Sequence, residues 1–379
     1  METQQSPGRG DLVPTIGGQQ AFIPLPLPAA VDLPLSIIYE LDLATRAVAT
    51  LSGVGETLAN PHLLISPFLN REAVSSSAIE GTQASISDLF MFEAASRESP
   101  DVREVANYVL AFERGQELLE RLPISVRLVN QVHETLMRGV RGGEWLPGEP
   151  RKEQVWIGAP GTPIEQARFI PARPDRILDC LADWERFVNE ESQLPPLIRC
   201  AMMHYQFEAI HPYMDGNGRV GRLLIALFLM ASGVLPKPLL YLSAFFQRNR
   251  SAYYGHLNAV SASNEWDGWF EFFLKGVTEQ ANDALLRSRR VRDLHDKYRR
   301  RLQDTRAPAN ALRLLDALFA NPYTSAPRTS ELLAITPEGA RKLLERLREA
   351  GILEFHSGVS PRLYVARELL NLIEAPVAV

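Results

Sequence analysis

Two apolar stretches, 201–210 and 223–235, read as buried helices, and the loop joining them dictates what the chain must be built around. That loop runs His211-Pro212-Tyr213-Met214-Asp215-Gly216-Asn217-Gly218-Arg219-Val220-Gly221-Arg222. One imidazole, one carboxylate, one carboxamide, two guanidiniums and three glycines stand in it. A loop that only turned the chain between apolar helices would not need that inventory. Every part has a use in phosphate chemistry. Gly216 and Gly218 let backbone N–H groups converge as a nest at the positive end of the following helix. Asp215 is a hard oxygen ligand for a divalent cation. Arg219 and Arg222, three apart, share a helix face and can grip phosphate oxygens in bidentate fashion. His211 stands where it can take a proton from an incoming hydroxyl.

The stretch resembles the signature of the Fic family, H-x-F-x-[DE]-G-N-G-R-x-x-R, at every functional position, with Tyr213 where Phe is usual. The resemblance implies a protein adenylyltransferase that takes ATP with Mg2+ and modifies Ser, Thr or Tyr of a target protein, with auto-modification and a homodimer also expected. His211 would be catalytic and Asp215 the metal ligand. Gly216, Asn217, Gly218, Arg219, Val220, Gly221 and Arg222 would surround the phosphates. Some relatives instead move phosphate, UMP or phosphocholine, or remove AMP, so the reaction stays open at this point.

The implied fold is mainly α: a Fic helical core with a small β-hairpin flap, then a winged helix-turn-helix. Residues 1–34, rich in Gly, Pro and Gln, read as an irregular arm. Residues 35–122 read as a helical region, broken at Pro61 and Pro67. Within it, Ser76 and Glu80 are four apart on one helix face and Gly81 is a natural cap. Periodicity alone makes Glu80 a solvated helix-end residue. The resemblance makes Ser76-x-x-x-Glu80-Gly81 the family's inhibitory pattern, with Glu80 on Arg222 in the place of the ATP γ-phosphate.

The catalytic core is expected over 123–286. Runs at 154–157 and 168–170 read as a hairpin or as an ordered loop. By resemblance they are the flap that aligns the target segment, with Ile157 and Gly158 nearest the nucleotide. His204 reads as a packed core residue. Tyr254, with Tyr253 as the alternative, is the resemblance's candidate against the adenine and ribose. Residues 287–307 form a basic stretch, with eight cationic residues between Arg287 and Arg301. It reads as a solvated linker helix, since a single aromatic, Tyr298, gives no run of rings for base stacking.

Residues 308–379 resemble a winged helix-turn-helix, with Thr329 and Thr336 as N-caps, Gly351 after the last helix, and strands around Ser357-Gly358. Eight basic and eight acidic residues balance there, favouring protein docking or regulation over nucleic acid. A transcription regulator with a vestigial site remains the competing class, opposed by the intact polar set at 211–222. The formal charge of −5 and two cysteines exclude a nucleic-acid-coating protein and a disulfide scaffold. No apolar run reaches the ~20 residues of a membrane span. Residues 1–5 show no secretory leader, so a cytoplasmic location is expected.

Overall fold

The computed structural model describes residues 8–57, 62–95, 99–159, 161–356 and 362–375. The N-terminal segment departs from the irregular arm expected over 1–34. It forms an antiparallel hairpin, β1 (Gly10–Pro14) and β2 (Gln20–Pro24), with Gly10 opposite Pro24 and Pro14 opposite Gln20. The glycines and prolines that read as irregularity serve the hairpin. Gly18 takes φ +86° in the turn, which Thr15 N–H closes onto Gln19 O at 2.7 Å. The prolines stand at strand ends, where a missing donor is harmless.

Four helices follow: α1 (Leu35–Thr57), α2 (His62–Ile79), α3 (Ile86–Ala95) and α4 (Pro100–Leu119). Pro67 lies inside α2 rather than breaking it. Leu64, Phe68 and Leu69 are buried around it. Burial of each such side chain stabilises by about 1.5–3 kcal/mol, enough together to outweigh the ~3 kcal/mol penalty of an interior proline. The break at Pro61 and part of the soft break at 96–101 lie outside the described residues.

The middle of the chain supplies α5 (Val126–Leu136), α6 (Ile177–Asn189), α7 (Pro196–Ile210) and α8 (Asn217–Ala231), then α9 (Ser243–Arg248) and α10 (Arg250–Ser263). α7 delivers His211, and two buried indoles hold it from different sides. Trp184 Nε1 of α6 donates to Met203 O at 3.1 Å, and Trp269 Nε1 of the next helix to Ala201 O at 3.0 Å. The segment between α5 and α6 is an ordered loop with a single antiparallel bridge, Ile157 to Phe169, in place of a full hairpin. β2 backs it, since Phe22 N–H donates to Ile170 O at 2.8 Å.

That next helix, α11, runs unbroken over Trp266–Asp304. The core and the basic stretch at 287–307 are therefore one rod, not a domain and a separate linker. The basic run is only partly solvated. Arg287 is buried, pairs with Asp283 at 3.0 Å, and donates to the carbonyls of Leu372 at 2.7 Å and Ile373 at 3.1 Å. Arg71 of α2 pairs with the same Asp283.

The C-terminal unit comprises α12 (Ala309–Ala320), β3 (Tyr323–Ser325), α13 (Ala326–Leu333), α14 (Pro337–Glu349), β4 (Glu354–His356), β5 (Leu363–Val365) and α15 (Arg367–Glu374). Its strands form one antiparallel sheet in the order β3-β5-β4. Thr336 caps α14 as expected, accepting from Gly339 N–H at 3.1 Å, and Gly351 follows with φ +65°. Thr329 is not a cap. Ser325 caps α13, accepting from Arg328 N–H, while buried Thr329 bonds Thr324 at 3.0 Å. The turn expected at Ser357-Gly358 lies outside the described residues. The unit packs on α2 and α3, where Asn321 Nδ2 donates to Phe90 O at 3.1 Å and Glu93 Oε2 at 2.8 Å.

Candidate active site

The end of α2 places Glu80. Gly81, at φ +97°, donates to Ala78 O and Thr82 to Ser77 O, the paired bonds of a Schellman cap, so Glu80 is the capping residue itself. A carboxylate at a helix C-terminus faces the negative end of the dipole, an unfavourable place. It is held there by the opposite end of α8. Glu80 Oε1 accepts from Arg222 Nη2 at 2.7 Å, and a Cβ on Gly218 would collide with the same carboxylate. Arg222, itself buried, also donates through Nε to Ser76 Oγ at 2.9 Å and through Nη2 to Ser76 O at 3.0 Å. Burial opposes charge on both groups. For Glu80, Arg222 and then Arg219 and His211 outweigh it and hold the carboxyl below the usual range. For Arg222, Glu80 outweighs burial and raises the guanidinium further.

The loop after α7 is fixed by groups that fill most of its hydrogen bonds. His211 caps α7 in the left-handed region, φ 52°, and Gly216 starts α8 at φ 79°. Asn217 is spent on the loop: its Oδ1 accepts from Tyr213 N–H and its Nδ2 donates to Tyr213 O, both at 2.8 Å. The Tyr213 hydroxyl, absent from the family's usual Phe, donates to Asn130 Oδ1 at 2.6 Å. The Tyr213 ring stacks on His133 with centroids 3.7 Å apart. His133 Nδ1 accepts from Gly148 N–H, so its Nε2 carries the proton that bonds Asp215 O at 3.0 Å. Burial keeps His133 neutral, with a pKa down to about 4.

Two side chains of the loop keep free bonding capacity. Arg219 is buried, 3.6 Å from Glu104 and 3.5 Å from Asp215, yet its Nε and Nη1 donate no hydrogen bond. His211 Nδ1 is likewise buried without a partner. Burial and then the nearby Arg151 push the His211 pKa down to about 4, against Glu80 and the Glu208 carbonyl, so its ring is neutral at pH 7. Asp215 is 37% exposed and accepts from Gly216 N–H through Oδ1 at 2.5 Å. Among the described residues no cluster of three or more His, Cys, Asp or Glu is grouped for a metal ion. Val220 and Gly221 sit in the first turns of α8, with Val220 buried and the Gly221 carbonyl 3.0 Å from His204 Nδ1.

Beside this loop a cavity of about 470 Å³ opens between α10 and the flap, with Glu80, Ile157, Gly158, Glu208, Tyr254 and Asn258 among its walls. Tyr254 faces it, whereas Tyr253 is core, its hydroxyl 2.8 Å from His204 Nε2. His204 is thus the packed residue expected, with burial lowering its pKa to about 3. Ser76, Glu80, Ile157, Gly158, Tyr254 and the 211–222 residues therefore converge, with Asn217 turned to structural use. Sequence reasoning missed His133, Arg151 and Glu208. Glu208 Oε1 is buried without a partner, and burial, against Arg222, raises its carboxyl to about 7. A lone ionisable residue on an apolar helix carries no pattern that would have marked it.

Residues 38–117 match the Fic/DOC family N-terminal description and residues 123–229 the Fic/DOC family description. These stretches of the chain therefore carry a Fic N-terminal domain and a Fic domain. It is similar to Protein adenylyltransferase fic-1 of Caenorhabditis briggsae, 34% identical over 119 residues, which are 31% of this chain and 21% of that protein. It is 31% identical over 176 residues to Protein adenylyltransferase Fic of Drosophila erecta, covering 45% of this chain and 31% of the relative. The chain thus spans about a fifth to a third of the length of these curated relatives. A Fic family protein structure from Desulfovibrio desulfuricans superposes with TM-score 0.58 and 18% identity, over 90% of this chain and 98% of the other, and shares the fold.

Proposed function

We propose that the chain transfers AMP from ATP to a hydroxyl of a protein, itself included, and that Glu80 holds this activity in check. The observation that carries the reading is the pairing of a buried Arg219 with two unbonded N–H groups and a carboxylate, Glu80, seated against Gly218 at the α8 N-terminus. Both describe a place made for anions. ATP phosphates would take the N–H groups of Arg219 and, once Glu80 leaves, those of Arg222.

His211 is neutral and can accept the hydroxyl proton as oxygen attacks the α phosphorus. The bond to the β phosphate breaks and pyrophosphate carries away the electron pair. Phosphate anions near His211 would raise its basicity from the low value it has beside Arg151. Asp215 fits Mg2+, since one partly exposed carboxylate plus substrate phosphates is that ion's usual setting. The ion would supply charge neutralisation on the phosphates. The cavity beside Tyr254 would take the nucleoside, with Ile157 and Gly158 as its other wall.

On the same reading the C-terminal unit is a winged helix-turn-helix used for docking or regulation. On α14, Glu338 pairs with Arg341 and Lys342 at 3.8 and 3.6 Å and Glu345 with Arg348 at 2.7 Å, leaving little free positive charge for a phosphate backbone. A homodimer and a cytoplasmic location belong to the proposal. No helix of the described residues is long and apolar enough to cross a membrane.

The test is label transfer and intact mass after incubation of Glu80→Gly protein with Mg-ATP, with His211→Ala as the control. Transfer from α-labelled and not γ-labelled ATP supports adenylylation. Transfer from the γ position means phosphorylation instead, and no transfer from either overturns the reading.

A further inference from the structure

Arg151 precedes the flap and is buried, and all the bonds it donates go to carbonyl oxygens. Its backbone N–H donates to Pro212 O at 2.9 Å and its Nε to His211 O at 2.9 Å. Its Nη1 donates to Glu153 O at 2.9 Å, and its Nη2 to Ala172 O. Glu153 and Ala172 are the two feet of the flap, and Gln154 Nε2, bonded to Pro171 O at 3.0 Å, closes the neck beside them. One guanidinium therefore grips the residue carrying the proposed base and both ends of the segment expected to align the target's hydroxyl. His211 needs such support. A residue other than glycine in the left-handed region is strained unless its surroundings over-determine it.

We propose that Arg151 is a positioning residue that sets the separation of His211 from the target hydroxyl by tying the base loop to both feet of the flap. This rests on the adenylylation reading. The planar fork of arginine can reach three carbonyls in fixed directions. A lysine ammonium in its place keeps the charge but not that geometry. Charge and geometry can thus be separated. The charged groups facing the His211 ring are Arg151, which favours its neutral form, and Glu80, which opposes this.

Arg151→Lys and Arg151→Gln in the Glu80→Gly parent test this by ATP affinity, auto-modification rate against pH, and amide exchange of Ile157 and Phe169. Both variants should lose about 100-fold in kcat, the usual effect of a misplacement near 1 Å, with ATP affinity changed by less than about threefold. Exchange at Ile157 and Phe169 should quicken in both. The acid limb of the rate profile should move to higher pH in Arg151→Gln, where His211 loses its cationic neighbour, and stay in Arg151→Lys. Rates near the parent's in both variants overturn the proposal. So do equal losses of rate and ATP affinity, an acid limb that moves alike in both, or loss of the folded state in both, each of which makes Arg151 merely structural. A parent that transfers no label defeats the adenylylation reading instead. NMR titration of His211 and the exchange rates then still decide whether Arg151 couples the base loop to the flap.

Discussion

Arg222 Nη2 lies 2.7 Å from Glu80 Oε1 and 3.0 Å from Ser76 O, so one guanidinium binds the last turn of α2 at both its backbone and its terminal carboxylate. The two partners are 142 residues apart in sequence, on helices whose facing ends have opposite dipole sign. Glu80 sits at the wrong end of its own helix and at the right end of α8.

Glu80→Gly should raise auto-modification and tighten ATP binding. With the side chain 34% exposed, solvent weakens the pair, and a gain of about 1–2 kcal/mol, roughly 5- to 30-fold in the competent population, is expected. Arg222→Ala should not activate, because it removes a phosphate ligand together with the inhibitor's anchor. Calorimetry with ATP beside label transfer checks both, and activation by Arg222→Ala would mean another group holds the γ-phosphate.

The buried histidines set an acid dependence of stability. Burial lowers His204 to about 3 and His133 and His211 to about 4, below the ~6.5 of an unfolded histidine. As pH falls through 6.5 the unfolded chain binds protons that the folded one refuses, so their contribution is full above 6.5 and is lost on acidification. Glu208, raised to about 7 by burial, works in the opposite sense. A difference measurement isolates one group. The stability gap between the natural protein and His204→Gln should narrow from pH 7 to 4, by at most about tenfold in the unfolding constant per unit. Denaturant titrations at several pH values measure it, and a constant gap would remove His204 as the cause.

Tyr213→Phe should lower stability by about 1 kcal/mol, because the half-buried Asn130 Oδ1 loses a donor at 2.6 Å while the stack on His133 remains. Label transfer should change little. An unchanged melting temperature would show that water or another donor serves Asn130.

The polar loop was legible because its functional groups stand close in sequence and their types have few other uses. The same density marked Ser76 and Glu80 only through resemblance, since a Ser and a Glu four apart suit any helix. Arg151 and His133 were illegible for the opposite reason: each is a single residue whose partners, His211 and Asp215, come from far along the chain. The hairpin at 10–24 was misread because prolines that end strands look the same in sequence as prolines that prevent them. Ser325, not Thr329, caps α13 because β3 ends there, and a three-residue strand leaves almost no periodicity to read.

Asp283→Ala should destabilise strongly. It leaves Arg287, 4% exposed, and Arg71, 21% exposed, without their shared carboxylate. Removing one member of a buried ion pair costs about 3–5 kcal/mol, and the partial exposure of Arg71 moves the expectation to the lower end. Thermal unfolding measures it, and a shift comparable to that of Tyr213→Phe would show the charges are already hydrated.

The unbroken α11 behaves as a screw. Its 39 residues extend about 58 Å, and each residue turns the rod by about 100°. Inserting one residue near Arg292 would swing α15 off the Arg287 side chain and carry Asn321 away from Phe90. Only changes of about seven or eleven residues would return the far end to nearly the same phase, each still lengthening the rod by about 10 to 17 Å. The length of this helix is therefore a fixed pitch, and the C-terminal unit can be exchanged between relatives only where thread and count agree.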